Sequence, residues 1–346
     1  MKKFFAISLA LLALVSCAKV ENSTPDREIS FRTANYLQTR AGEVAYTNGN
    51  FGVYSWYNGT DPFMENEEVG VVESVWTTIH HTYYWPKSGA ITFLSYSPFS
   101  GTNGVSNSLP AISGSGSSWA LAYGSASSPY TVADDDLMYA DVVTCECEPT
   151  GVNDNGEAYH DAVPTLFHHA LAKVRFEARA STLSEGREPD ETNWEITIVK
   201  ATVKGVYTRG YLNMNWNRSE WAKPAGNVWL GPAGASDKDF AENVVLTETF
   251  EPLGELGFVI PQGLDAQEIS LDVKIKTTLP NKKEIEENIT LTAKLDEVSD
   301  IIKSWQMNQS ILYRIVISPI DVMDPITFAP VTADWDEYTA EFTLPL

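Results

Sequence analysis

Apolar and polar residues alternate with a period of two along most of this chain, a pattern that predicts strands in nearly every segment. Ile29-Ser30-Phe31-Arg32 opens the alternation, and Phe51 to Trp56 follows, closed by the turn pair Asn58-Gly59. Thr82 to Trp85 stops at Pro86, Ile91 to Tyr96 stops before Pro98, and Leu137 to Ala140 is a short apolar run. A strand is expected from Ala172, because Val174-Arg175-Phe176-Glu177-Ala178 alternates cleanly. Glu195 to Tyr207 alternates for so long, with mixed faces, that a bent or bulged strand is expected. Further runs are Val244 to Leu246, Gly257 to Ile260, Ile269 to Thr277, Glu284 to Ala293, Ile311 to Ser318 and Ile326 to Phe328. Leu271, Val273 and Ile275 alternate with Asp272, Lys274 and Lys276, and Leu279 to Lys283 turns this strand into a hairpin with Ile285 to Leu291.

Residues 100–129, rich in Ser, Gly and Asn, read as an exposed loop, and 216–235, rich in Gly, Pro and Asn, read as a linker. With about seven strands on each side of that linker, the expected fold is all-β, two β-sandwich domains in series. One large sandwich is the alternative arrangement.

The start of the chain breaks the alternation. Lys2 and Lys3 precede the apolar stretch Phe4 to Val15. As a helix it would reach about 18 Å, short of a hydrocarbon core of about 30 Å, so it reads as a signal peptide. Leu14-Val15-Ser16-Cys17 follows, resembling a bacterial lipobox, and makes Cys17 the expected lipid attachment. Residues 18–28 are polar, with Pro25 among them, and fit a tether. The expected organisation is therefore signal peptide 1–16, lipid-anchored tether 17–28, N-terminal sandwich 29–215, linker 216–235 and C-terminal sandwich 236–346.

Charge narrows the function. The 346 residues carry 24 Lys+Arg and 46 Asp+Glu, net −22. Nucleic acid is excluded as a partner, since phosphate neutralisation needs clustered cations, and so is docking on an anionic lipid surface. Three Cys exclude a disulfide framework. Cys145 and Cys147 stand two apart, where a disulfide would be strained and two ligands cannot close a zinc site. His80-His81 and His168-His169 are adjacent pairs, which a strand points to opposite faces. Asp134-Asp135-Asp136 lacks the EF-hand spacing. No GxSxG, P-loop, HExxH or dinucleotide fingerprint occurs, so no enzyme, metal or cofactor is expected. Trp56, Tyr57, Trp119 and Trp221 could stack on sugars, although core filling is the commoner use of such residues. A glycan-binding surface lipoprotein is thus the alternative function.

Motifs in a fixed order carry a resemblance. They are Cys17 after the lipobox, Ile29-Ser30-Phe31, Thr39-Arg40-Ala41, Phe51-Gly52-Val53-Tyr54, Tyr84-Trp85-Pro86, Leu94 to Pro98, Phe167 to Val174, and Val259-Ile260-Pro261-Gln262. This order resembles the fimbrillin-like lipoprotein pilins of the Bacteroidales. The resemblance implies two transthyretin-like β-sandwiches, and a pilus subunit (shaft, tip or accessory) on the outer-membrane surface that contributes to adhesion. Its implied partners are other pilin subunits, an Arg-specific processing protease, the lipid anchor through Cys17, and a host or bacterial surface glycan or protein. It also implies cleavage between Arg40 and Ala41, loss of the strand Ile29 to Arg32, and repair of the open groove by another subunit's strand. Cleavage there would leave 18 basic and 43 acidic residues, net −25. In polymerising members the C-terminal strands supply the donor. Here the tail after Trp335 offers one strand, with Tyr338, Ala340, Phe342 and Leu344 on its expected inward face before Pro345.

Overall fold

The computed structural model describes residues 27–35, 46–100, 110–115, 118–152, 156, 158–181, 192–217, 229–299, 301–318 and 336–345. Cys17, Arg40, Ala41, Trp221 and the run Ile326 to Phe328 lie outside them. Among the described residues there is no α-helix; every regular element is a strand, apart from a 3-10 residue at Arg27.

The strands of the first half, in chain order, are β1 (Ser30–Asn35), β2 (Phe51–Tyr57), β3 (Asp61–Val72), β4 (Val75–Thr78), β5 (Ala90–Ser97), β6 (Ala111–Ser115), β7 (Ser118–Tyr123), β8 (Tyr130–Thr131), β9 (Met138–Ala140), β10 (Val143–Glu146), β11 (Gly151–Val152), β12 (Ala158–Tyr159), β13 (Val163–His169) and β14 (Ala172–Ala180). The second half gives β15 (Asn193–Asn217), β16 (Trp229–Val245), β17 (Glu251–Val259), β18 (Gln262–Gly263), β19 (Glu268–Thr278), β20 (Glu284–Lys294), β21 (Ser304–Trp305), β22 (Gln309–Ser318) and β23 (Asp336–Pro345).

The first sheet runs β10-β5-β2-β3-β4-β1-β13-β9, and β9 pairs back onto β5. The strands from β5 round to β9 therefore close into a ring, while β10 pairs with β5 alone among the described residues. Local sequence explains the members. Asn58 and Gly59, at φ 49 and 78, turn β2 into β3. β5 is apolar or small at nearly every position because both of its faces are buried. Ile91 and Phe93 point into the ring with Phe31, Phe51, Val53 and Phe167. Leu94 and Tyr96, on the other face, join Trp56, Trp119, Leu121, Leu212, Met214 and Trp216 in a second core.

A third core lies between two packed sheets. On one side is the stretch β20-β19-β15, which continues through β15 to β7 and β6; on the other is β17-β14-β22-β23. Leu271, Val273 and Ile275 of β19 face this core, and Lys274 and Lys276 pair outside with Glu286 and Glu284, as the alternation predicts. β15 belongs to two cores: Ile196 to Val206 contribute to the third and Leu212 to Trp216 to the second. Its bulges fall where bending is expected, including the register shift between Val203 and Val206 around Gly205 at φ 73.

Three segments differ from expectation. The Ser/Gly-rich stretch contains the hairpin β6–β7, which places Trp119, Leu121 and Tyr123 in the second core. Gly114 is needed there, because a Cβ would collide with the Trp119 indole. Thr82 to Trp85 forms no strand; Tyr84 makes a single bridge to Glu28. Within the expected linker 216–235, Trp216 and Asn217 close β15 and 229–235 open β16. Gly231, at φ 57, sits in the register shift of β16 on β15 between Leu230 and Ala233, and Gly234, at φ 68, lies further along the same strand. Ala172 to Val206, assigned above to the N-terminal sandwich, share their core with Leu253 to Ile317. The grouping of cores thus changes near Leu171.

Candidate functional site

The first strand occupies a seat in the ring. β1 pairs in parallel with β13, from Phe31 against Val163 to Asn35 against Phe167, and antiparallel with β4 at Ser30–Thr77 and Phe31–Trp76. Ile29 is 0% exposed and Phe31 3%. Phe31 meets Phe51 and Phe93 edge-on, at centroid distances of 5.7 and 6.0 Å. Burial of one such side chain contributes about 1.5–3 kcal/mol, so these two alone hold the strand by a few kcal/mol. Arg32, on the alternate face, is exposed.

A short strap of chain crosses the entrance to this seat. Ile29 N donates to Tyr83 O at 2.9 Å, Trp85 N donates to Arg27 O at 2.8 Å, and the Arg27 guanidinium donates to Trp85 O at 2.8 Å. Thr77 Oγ1 donates to the Glu28 carboxylate at 3.1 Å. The strap is itself tied to β3. Tyr83 OH donates to Glu67 at 2.8 Å, His81 Nδ1 lies 3.0 Å from Glu67, and His80 Nε2 lies 3.0 Å from Glu68. Desolvation, with Glu67 as acceptor and neighbouring charge, pushes the Tyr83 hydroxyl up to about 12.

Sequence reasoning placed the strand and missed its housing. β4, β13 and the Glu67–Glu68 anchor carry no local signal of their own. The one available hint was Tyr84-Trp85-Pro86, which stands out only as a motif.

The other singled-out residues scatter. β23 lies at the edge of the four-stranded sheet, parallel to β22, in a register that sets Tyr338, Ala340, Phe342 and Leu344 opposite Ile311, Tyr313, Ile315 and Ile317. It sits in a different sheet from β1. His168 pairs with Asp141 at 3.0 Å and His169 with Asp136 at 2.8 Å, so the adjacent histidines serve separate carboxylates. Among the described residues no group of three His, Cys, Asp or Glu is placed to hold a metal. Cys145 and Cys147 are free thiols, and burial pushes both up to about 11. Trp56 and Trp119 are core residues, 6% and 2% exposed.

Comparison with known families gives a match to a fimbrillin-like family model over residues 39–335. The match begins after β1 and ends before β23. Comparison with curated proteins finds no match. Among solved structures, a fimbrial protein of Bacteroides vulgatus is 13% identical, with TM-score 0.46, over 92% of this chain and 98% of its own. A protein described as a cell adhesion protein, from Bacteroides uniformis, is 15% identical, with TM-score 0.44, over 84% and 94%.

Proposed function

The chain belongs to the fimbrillin-like family, and from that premise we propose that it is a pilus subunit that joins its neighbours by exchanging a strand at the seat of β1. Family membership makes it a cell-surface, pilus-associated adhesion protein that assembles with other pilin subunits, and not an enzyme.

The observation that carries the strand-exchange reading is the place of β1 in a closed ring, with Ile29 and Phe31 buried and both neighbours hydrogen-bonded to it. Loss of β1 would open the ring between β4 and β13, uncovering apolar side chains and two rows of unpaired backbone groups. An incoming strand would restore both. Cleavage between Arg40 and Ala41 would separate β1 from the remainder of the ring. β23 is the candidate donor, because at the sheet edge it pairs, among the described residues, with β22 alone. Two sandwich units, dividing where the cores regroup near Leu171, complete this reading.

Limited digestion with trypsin, followed by electron microscopy and size-exclusion chromatography, tests it. The parent chain should lengthen into fibres, whereas Arg40→Ala should remain a folded monomer. A chain lacking 337–346 should accept a partner's strand and fail to donate one. Fibres from Arg40→Ala, or unfolding on tail deletion, would remove these residues from the mechanism.

Anchoring before assembly is assigned to Cys17, on the lipobox-like Leu14-Val15-Ser16-Cys17. Several acyl chains on one residue give firm attachment, at about 0.8 kcal/mol per buried CH2. Cys17→Ala should move the protein from the membrane fraction to the soluble one. Unchanged fractionation, with no acyl mass on the mature N-terminus, would refute the anchor.

A further inference from the structure

A cavity of about 640 Å³ lies beside the seat of β1, lined by Arg32 of β1, Trp85 of the strap, Cys145 and Glu146 of β10, and His160 and Asp161 ahead of β13. We infer that it binds a short zwitterionic peptide, and that the bound peptide holds β1 in place.

Two observations support this. The volume falls within the range of small-ligand sites, about 300–1,000 Å³. Its opening presents charges of both signs that the protein leaves to solvent. Arg32, Glu146 and Asp161 are exposed, and none of the three side chains forms an ion pair or hydrogen bond among the described residues. A ligand with one charge would be repelled by one side of such a site, whereas an ammonium and a carboxylate on one small molecule match both. The inner wall is formed by Trp85, which is 3% exposed, and by His160: their rings stack at 5.5 Å and 8°, and His160 Nε2 lies 3.1 Å from Cys147 O.

Arg32 ties this cavity to β1. A ligand contacting Arg32 on one side and Glu146 or Asp161 on the other bridges β1 to β10 and to the chain entering β13. It binds only while β1 is seated, so occupancy favours the seated state. This linkage rests on the position of β1 alone and does not require that Arg40 be cleaved.

Isothermal titration of the full chain with triglycine and tetraglycine tests the site, with N-acetylated, C-amidated triglycine and neutral monosaccharides as comparisons. The free peptides should bind at least tenfold more tightly than the doubly capped one. Arg32→Ala and Asp161→Ala should each weaken binding at least tenfold while circular dichroism and Tm stay those of the parent. Hydrogen exchange of the Phe31 to Asn35 amides should slow on addition of tetraglycine. Equal binding of the capped peptide, binding of sugars alone, or no binding of either free peptide would overturn the assignment. So would unchanged affinity in both variants, or exchange in β1 that ignores the ligand.

Discussion

Cys145 and Cys147 show how burial dominates the chemistry of a side chain. Both thiols are moved from an ordinary value of 9.0 to about 11, first by desolvation and then by nearby groups, Cys147 and Glu146 for Cys145 and Glu146 for Cys147. At pH 8 their thiolate fraction is roughly a hundredfold below that of an ordinary cysteine, and the thiolate is the nucleophile. Iodoacetamide should therefore label the native protein slowly at pH 8 and the urea-unfolded chain quickly. The sign of the accompanying stability change follows. Between pH 9 and 11 the unfolded chain releases thiol protons that the native chain retains, so stability falls as pH rises through that window. Cys145→Ala should flatten the alkaline decline measured by urea denaturation. Labelling as fast in the native as in the unfolded protein would show that the thiols are not protected. The sequence suggested a structural or incidental role for this pair, since their spacing fits neither a relaxed disulfide nor a zinc site. It carried no sign that His168 and His169 would each find its own aspartate.

At the scale of elements, β1 is a plug defined by two side chains. After trypsin has removed the N-terminal segment, a synthetic peptide of residues 27–35 should bind the processed subunit, and its Phe31→Glu version should not. Fluorescence anisotropy of a labelled peptide reads both. Equal binding would mean that backbone pairing, and not the Ile29 and Phe31 pockets, holds the strand. Strands with strict alternation were legible from sequence: β2, β5, β14, the hairpin β19–β20 and the bulged β15 all lie where the pattern put them. Their partners were not. Parallel pairing of Phe31 with Val163 joins positions far apart in the chain, and no local pattern encodes it. The hairpin β6–β7 was hidden because small residues there make room for the Trp119 indole, so the composition looked like that of a loop. Gly231 and Pro232 misled for a related reason, since the bulge on β16 uses the same residues as a linker. The strand of the candidate site was legible in the sequence, and the strap and ring around it were not.

The whole molecule is strongly acidic, with net charge −22, which the proposed cleavage after Arg40 would take to −25. Subunits that meet end to end must overcome that repulsion, which decays over about 8 Å at physiological ionic strength and about 30 Å at 0.01 M. Assembly of processed subunits, followed by light scattering, should therefore accelerate when salt is raised from 10 mM to 150 mM. A rate independent of salt would place the joining surfaces away from the net charge.

Tension is the ordinary condition of a fibre on a cell surface, and β15 determines how this subunit carries it. At about 3.3 Å per residue, its 25 residues form a continuous line of roughly 80 Å. That line passes from the core around Leu271 to the core around Trp216 with no connecting loop between them. Force entering one core reaches the other through backbone that is already extended and hydrogen-bonded to β16, β19 and β7. No slack segment lies between the two cores along β15 to pay out first. A load along β15 is resisted by many cross-strand bonds acting together in shear, so the two cores yield as one mechanical unit and not one after the other.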